Sequence, residues 1–209
     1  MSRKPILWDV DTQVDFIVPG GKLVVPGAVA TVPAMARLVA WARGHGIVHV
    51  ASADDHELTD PEISTAPDFV STYPPHCLRG TRGAQRIHET EQVDPLPLSH
   101  VAYPPGLLRE LVAGRREILL LKKSFDVFTN PNADAVLEAL DPAEVIVFGV
   151  ATDVCDHAAI LGLLRRGRRV AFVEDAARGL DEERTRACLA QWRETGVRFT
   201  TSDAVASQV

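Results

Sequence analysis

One cysteine of this sequence stands where an apolar run gives way to a helical pattern. Cys155 follows the run Val145–Val150 after a short turn, and an apolar stripe of helical period begins at residues 160–164. A thiol in the first turn of a helix lies beside free backbone amides and the positive end of the helix dipole, which stabilise a thiolate and a developing oxyanion. The sequence therefore favours Cys155 as a nucleophile over a buried core thiol. Cys77, in a proline-rich stretch, and Cys188, on a helical stripe, are predicted to be packing residues.

A thiol nucleophile needs a base and a positive charge close by, and two other strand ends offer them. Asp11 directly follows the apolar run of residues 5–10, and Lys122 follows the run of residues 118–121. Taken alone, Asp11 is equally well explained as an acidic residue of a turn. Lys122, taken alone, is explained as a surface lysine. Together with Cys155 they supply an acid, a cation and a thiol, so we predict that these three side chains form one catalytic cluster.

A second group of residues has the composition of a metal site. Asp54 and His56 are two residues apart after another apolar run, so both side chains lie on the same side of an extended segment. His76 follows in the segment Tyr73-Pro-Pro-His-Cys. One carboxylate and two imidazoles suit zinc, iron or manganese, with water or substrate completing the coordination. The remaining histidines are predicted to be surface or packing residues.

The elements that position these residues follow from the hydrophobic pattern. Apolar runs rich in Val, Ile and Leu occupy residues 5–10, 47–51, 118–121, 145–150, 170–173 and, more weakly, 197–200. Helical stripes lie between most of these runs, for example at Val32, Met35 and Leu38. This alternation predicts an α/β fold of three αβα layers with a central parallel sheet of about six strands. The carboxyl ends of parallel strands share one edge of the sheet, and ligands bind there.

A proline-rich excursion with little periodicity interrupts the alternation over residues 54–105. An excursion of this length inside a compact fold is typical of a functional segment. Neither flank contains enough strands for a core of its own. We therefore predict a single domain over residues 1–209.

Composition narrows the classes of function. The 209 residues carry 28 acidic and 22 basic side chains and a net charge of −6, which argues against nucleic-acid or membrane partners. No apolar run reaches the roughly 18 residues of a membrane span, and the cysteines lack paired spacing and should be reduced, so we expect a cytoplasmic protein. The one dense basic cluster is predicted to be a solvated helix end, with an anion site as the alternative. Its members are Arg165, Arg166, Arg168 and Arg169.

Several motifs occur in the order of a known family. Asp11-Thr-Gln-Val-Asp-Phe resembles the opening motif of the isochorismatase-like cysteine hydrolases, and Asp54-Asp-His resembles their metal segment. Tyr73-Pro-Pro-His-Cys is similar to their Trp-Pro-x-His-Cys, and Gly149-Val-Ala-Thr-Asp-Val-Cys is similar to their nucleophile loop. The match covers most of the chain and is closest to the nicotinamidase branch. Tyr73 in place of tryptophan and a short segment after Lys122 favour an amide-cleaving cysteine hydrolase in general over nicotinamide as the particular substrate.

The resemblance implies a catalytic role for each residue of the cluster. Asp11 would be the base, Lys122 the catalytic lysine and Cys155 the nucleophile of an amidohydrolase that forms a thioester and releases ammonia. A cis peptide between Val150 and Ala151 would aim the Ala151 and Cys155 amides at the oxyanion.

The resemblance also implies a cofactor and partners. Asp54, His56 and His76 would bind a divalent metal, zinc before iron or manganese, that holds a ring nitrogen of the substrate. Phe16 and Tyr73 would flank that ring. The partners implied are a small amide substrate and further copies of the chain in a homodimer or homotetramer.

Three other functions stay open from the sequence. Asp9-Val-Asp11-Thr also fits the opening of haloacid-dehalogenase-type phosphatases, which further resemble the chain at Ser52, a lysine and Glu174-Asp175; Asp9 would then attack phosphorus beside magnesium. An isochorismatase-type hydrolase of another small substrate would cleave a vinyl ether without needing Cys155 or a metal. A non-catalytic relative would keep the fold as a binding module.

Overall fold

The centre of the fold is one parallel β-sheet in the computed structural model, which describes residues 4–207. Its strands are β1 (Ile6–Val10), β2 (Val48–Asp54), β3 (Leu96–Leu98), β4 (Glu117–Lys122), β5 (Val145–Val150), β6 (Val170–Arg178) and β7 (Arg198–Thr200). Within the described residues these seven strands lie in the order β3-β4-β2-β1-β5-β6-β7. All six neighbouring pairs are parallel.

Helices cover both faces of the sheet. They are α1 (Val14–Ile17), α2 (Val32–His45), α3 (Pro105–Val112), α4 (Ala133–Leu140), α5 (Cys155–Arg165), α6 (Glu182–Glu194) and α7 (Ser202–Ala206). Helices α3, α4, α5 and α6 pack their apolar residues on one face, and α1, α2 and α7 pack on the other. The predicted three-layer α/β fold is confirmed. No helix within residues 4–207 is long and apolar enough to cross a bilayer.

The strands have the burial that their sequences predict. Every residue of β1 and β5 is buried, as expected for central strands covered on both faces. All six predicted strands are present, and β3 is an additional strand that the sequence did not predict. It lies inside the proline-rich excursion and has the sequence Leu-Pro-Leu at the edge of the sheet, where a proline need not donate to a neighbour.

The strand order explains which side chains can meet. Strands β4, β2, β1 and β5 are consecutive neighbours in the sheet. Lys122 and Asp54 are the last residues of β4 and β2 and are paired in register, while Asp11 follows β1 and Cys155 begins the helix after β5. Four residues that are distant in sequence therefore stand at adjacent strand ends.

The segment between β2 and β3 runs past the carboxyl edge of the sheet. Its regular structure is limited to the short 3-10 turns Arg82–Ala84 and His88–Thr90 within the described residues. A single bridge from Arg86 to Gln13 ties it to the region after β1, and another from His56 to Leu78 joins two of its own parts. The excursion thus carries His56, His76 and Tyr73 toward the strand ends.

Candidate active site

The three predicted catalytic side chains meet around the Lys122 ammonium. Lys122 Nζ lies 2.8 Å from Asp11 Oδ2 and 3.7 Å from Cys155 Sγ. It also donates a hydrogen bond to Asp54. All four side chains are buried. The structure therefore brings together the acid, the cation and the thiol that the sequence predicted.

A local backbone conformation positions the Asp11 carboxylate. Asp11 has φ 51°, in the left-handed region, where the chain leaves β1. Aspartate tolerates this region better than most residues. The Ser52 hydroxyl on the neighbouring strand donates to Asp11 Oδ1 over 2.7 Å. Asp11 Oδ2 is left to contact Lys122.

Burial dominates the electrostatics of this cluster. Burial raises the pKa of the Cys155 thiol well above its usual range; Lys122 opposes the rise, and nearby carboxylates such as Asp11 add to it. Burial also raises the pKa of Asp11, and Lys122 offsets only part of that effect. For Lys122 burial alone would lower the pKa, but the adjacent carboxylates of Asp11 and Asp54 outweigh burial and raise it well above the ordinary value.

Cys155 therefore rests as a protonated thiol beside a charged lysine. The start of helix α5 favours a thiolate, but burial and the neighbouring carboxylates outweigh its effect on the pKa of Cys155. Asp11, whose pKa is raised, is a better proton acceptor for this thiol than an ordinary aspartate would be.

A second cluster adjoins the first and has the composition of a metal site. Asp54, His56, Glu62 and His76 are all buried, and each offers a ligand atom within 4.8 Å of the others. The Nε2 atoms of His56 and His76 lie 3.6 and 3.4 Å from Asp54 Oδ2. Burial alone would raise the pKa of Asp54, but Lys122 and the two imidazoles outweigh burial and hold it well below its usual range. Asp54 is therefore ionised and able to ligate a cation.

The hydrogen bonds on the far side of each imidazole fix its tautomer. His56 Nδ1 lies 3.2 Å from Asp60 Oδ2, and His76 Nδ1 lies 2.7 Å from the Pro74 carbonyl oxygen. Both partners only accept, so each Nδ1 carries the proton and each Nε2 presents a lone pair. Asp54 Oδ2 and His56 Nε2 are buried without a hydrogen-bond partner. These residues fit a divalent cation, which would satisfy both atoms.

The turn between β5 and α5 presents backbone amides next to the sulfur. The Val150–Ala151 peptide is cis, as the family resemblance implied. Cys155 is the first residue of α5, where amides have no intrahelical acceptor. The Ala151 carbonyl accepts from the amides of Val154 and Asp156 at 3.0 and 3.1 Å, which ties this turn to the helix.

A narrow cavity lies over the Cys155 sulfur. Phe16, Tyr73, His76 and Ala151 are among its lining residues. The ring centroid of His76 lies 5.2 Å from that of Phe16 and 6.3 Å from that of Tyr73. The two aromatic residues predicted to flank a substrate therefore border the space between the nucleophile and the metal cluster.

Sequence reasoning missed three residues that support the site. Glu62 joins the metal cluster, and Asp60 orients His56. Gln13 accepts from the Asp54 amide at 2.7 Å and donates to the Asp54 carbonyl at 2.8 Å, which fixes the backbone of a ligand. For Gln13, the signal in the sequence is its position within the opening motif Asp11-Thr-Gln-Val-Asp-Phe. Glu62 and Asp60 lie in the aperiodic excursion, where no local pattern distinguishes them from other acids.

The residues of the phosphatase alternative do not assemble. The Asp9 carboxylate is buried and is bonded to Thr12 at 2.9 Å, to His49 at 3.1 Å and to Arg86. Asp175 is bonded to Ser202. Asp9 is therefore held within a network under the sheet edge and does not line the cavity over Cys155.

Fold and site together define a class, the hydrolases of α/β fold with a cysteine at the carboxyl edge of a parallel sheet. Comparison with known families agrees with this assignment. The model of the Isochorismatase domain matches residues 6–204, and the chain belongs to this family.

Two curated relatives and one solved structure illustrate the similarity. The chain is 30% identical over 196 residues to the nicotinamidase/pyrazinamidase of Mycobacterium tuberculosis, covering 92% of this chain and 96% of the relative. It is 28% identical over 190 residues to the nicotinamidase of Escherichia coli, covering 82% of each. The pyrazinamidase of Pyrococcus horikoshii in complex with zinc has a similar fold, with a TM-score of 0.74, 22% identity, and coverage of 95% of this chain and 99% of that chain.

Proposed function

We propose that this chain is a nicotinamidase-like amidohydrolase that converts a small carboxamide to a carboxylic acid and ammonia through a thioester on Cys155. The observation that carries the proposal is the contact of one buried ammonium, Lys122 Nζ, with both the Asp11 carboxylate and the Cys155 sulfur. The nicotinamidase relatives, matched over most of their length, support the same reaction class.

The first half of the reaction forms the thioester. Asp11 takes the proton of the Cys155 thiol as the sulfur attacks the carbonyl carbon of the amide. The amides of Ala151 and Cys155 stabilise the resulting oxyanion. The carbon–nitrogen bond then breaks, and the leaving nitrogen takes the proton from Asp11 and departs as ammonia. Throughout these steps the positive charge of the Lys122 ammonium compensates the negative charge of the cluster.

The second half hydrolyses the thioester. Asp11 takes a proton from water as the water oxygen attacks the thioester carbon. The same two amides hold the second oxyanion. When the carbon–sulfur bond breaks, the sulfur recovers the proton from Asp11, and the carboxylic acid is released with Cys155 restored as a thiol.

Asp54, His56, Glu62 and His76 are the residues that would hold a metal, and we propose zinc. When bound there, the metal supplies a Lewis acid that anchors and orients a ring nitrogen of the substrate. Phe16 and Tyr73 then restrict the orientation of the substrate from either side of His76.

A screen of ammonia release tests the proposed function. The substrates are nicotinamide, pyrazinamide and a series of aliphatic amides, each with and without a chelator. We expect ammonia from at least one carboxamide, and no turnover by the Cys155→Ala variant. Phosphate release from a generic ester, or vinyl-ether cleavage that persists in Cys155→Ala, would contradict the proposal.

We propose three further properties, the first two from the sequence pattern and the third from the family resemblance. They are a single domain, a cytoplasmic location and assembly into a homodimer or homotetramer. Light scattering of the purified protein measures the assembly directly, and a monomer at micromolar concentration would contradict it.

A further inference from the structure

A groove beside the active site runs along helix α5. One wall is a stripe of that helix at a spacing of three to four residues, formed by Val154, Ala158, Leu161 and Arg165, with His157 beside it. Val70, Phe125 and Arg184 contribute to the opposite wall. The groove encloses about 330 Å³.

The groove and the cavity over Cys155 adjoin each other. Tyr73 and Val154 are walls of both. The free volume over Cys155 is about 10 Å³, roughly the space of one water molecule. Burial raises the pKa of Tyr73 to about 12, so its hydroxyl at this shared wall is neutral. A carboxamide with an extended acyl chain that brings its carbonyl to the sulfur would therefore place that chain in the groove.

The groove offers hydrogen-bond donors. Trp192 Nε1, which can only donate, lies 3.1 Å from His157 Nδ1, so the proton of His157 is on Nε2. Burial and Arg165 lower the pKa of His157, which keeps the ring neutral at pH 7. Arg165 has neither a hydrogen bond nor an ion pair from its guanidinium to any residue in the range 4–207.

The other charged side chains of the groove are already hydrogen-bonded. Arg184 is bonded to Asp153, which also accepts from two backbone amides. Asp126 accepts from the amide of Phe128. Arg165 is therefore the cation of this groove that can bind an anionic group of a ligand.

The rest of the basic cluster is explained differently. Arg166 forms an ion pair with Asp134, and Arg168 forms one with Asp141. These two arginines hold the end of α5 against α4 and its following turn. Arg165 differs from them because it lines the groove.

We propose that the groove binds the acyl chain of the substrate and that Arg165 binds a carboxylate at the far end of that chain. Beside the ring amides that the metal site would orient, the substrate class then includes the monoamides of dicarboxylic acids. This inference rests on the proposed amidase function. Cys155 and Arg165 are about 15 Å apart along α5 at 1.5 Å per residue, and the Arg165 side chain with its hydrogen bond covers roughly 9 Å of this, which leaves about 6 Å for a chain of about six carbons. The Arg165 side chain leans back toward the start of the helix and can reach the far end of the acyl chain.

Three amides of equal chain length test the inference through ammonia release. They are 6-amino-6-oxohexanoate, hexanamide and 6-aminohexanamide, which end in a carboxylate, a methyl group and an ammonium. We expect kcat/KM for the carboxylate to exceed that for hexanamide by about tenfold, the scale of one hydrogen bond to a charged group. Arg165→Gln should abolish this preference while changing kcat/KM for hexanamide less than about twofold. Arg165→Lys should keep part of the preference.

Arg169→Gln is the matched control, because Arg169 is exposed and does not line the groove. It should leave all three values unchanged. Equal kcat/KM for the carboxylate and hexanamide, or a preference for the ammonium, would overturn the inference and leave the amidase function intact. An equal loss on all three amides in Arg165→Gln would also overturn it. Absence of ammonia from every amide, nicotinamide included, would instead remove the proposed function, and this inference with it.

Discussion

The Lys122 ammonium lies 2.8 Å from the Asp11 carboxylate, and neither side chain is exposed to solvent. The same ammonium contacts Asp54, a member of the metal cluster. Lys122 is therefore a buried counterion shared by the proposed catalytic base and by a proposed metal ligand. Removal of one partner from such a buried cluster leaves uncompensated charge, which costs far more than loss of a surface ion pair.

Lys122→Met should destabilise the protein and abolish amide hydrolysis. The substitution leaves the Asp11 and Asp54 carboxylates buried without their cation, and we expect a loss of about 3 to 5 kcal/mol in the free energy of unfolding. Urea denaturation measures it. Lys22→Met is the control: Lys22 is exposed, so loss of its side chain should cost less than about 1 kcal/mol.

A double substitution separates charge balance from catalysis. Asp11→Asn combined with Lys122→Met removes one buried charge of each sign. It should be more stable than Lys122→Met alone and still be inactive. A double variant no more stable than the single one would show that the Lys122 side chain acts through packing and not through its charge.

Asp156→Asn should stabilise the protein by an amount that grows with pH. Asp156 is fully buried, and its carboxyl oxygens lack a hydrogen bond of ordinary geometry, with the Thr152 side chain nearby. Burial and the nearby carboxylates of Asp11 and Asp153 raise its pKa well above 3.8. The folded chain therefore holds a proton that the unfolded chain releases above about pH 4, so this group costs the wild type about 1.4 kcal/mol of stability per pH unit above that point.

Chemical denaturation of both proteins from pH 4 to pH 8 measures this difference. The advantage of Asp156→Asn should be smallest at pH 4 and should rise with pH until the pKa of the folded state is reached. The exposed Asp94 provides a control, since Asp94→Asn should show no such rise. An advantage that does not depend on pH would mean that Asp156 is ionised in the folded protein.

Glu62→Gln should weaken metal binding while leaving the fold intact. Glu62 Oε1 lies 3.8 Å from His56 Nε2, and its other oxygen accepts from the Phe125 amide, a bond that a glutamine carbonyl can keep. We expect about a tenfold or greater loss of metal affinity, measured as metal retained after dialysis against a chelator. Glu57→Gln, on the exposed side of the same segment, should retain metal like the wild type. Equal retention by both variants would exclude Glu62 as a ligand.

Gly83→Ala should disturb the loop that carries His76. A Cβ at Gly83 would lie 2.2 Å from the Asp15 carboxylate, which accepts from the Cys77 and Lys22 amides and cannot move freely. We expect destabilisation of about 1 to 3 kcal/mol. Gly106→Ala, in α3 with open space around it, should be neutral or stabilising by up to about 1 kcal/mol. Thermal denaturation compares the two, and similar midpoints would contradict the packing argument.

The catalytic trio could be predicted from sequence because a simple topological rule places it. Asp11, Lys122 and Cys155 each follow a strongly apolar run, and the ends of parallel strands converge on one edge of the sheet. The rule needs only the identity of the strands, and the sequence gives that identity clearly where the strands are central and buried. The charge state of Cys155 was not predictable in this way, because it depends on burial and on the sum of several neighbouring charges.

The excursion was less predictable because its residues are positioned by contacts with distant segments. Glu62 reaches His56 without any periodic pattern, and β3 is a three-residue edge strand that contains a proline. Asp54, His56 and His76 could be predicted as one group because Asp54 and His56 lie two residues apart in an extended segment. The fourth member of the group, Glu62, could be assigned only from the three-dimensional path of the chain.

The thioester on Cys155 is the most direct test of the account. The reaction is quenched in acid during turnover of a carboxamide that the enzyme hydrolyses. The masses of the enzyme's peptides are then measured by mass spectrometry. The account predicts the mass of the acyl group on the peptide that contains Cys155, with none on the peptides of Cys77 and Cys188 and none in Cys155→Ala. Continued ammonia release by Cys155→Ala, with no acyl group on any cysteine, would contradict it.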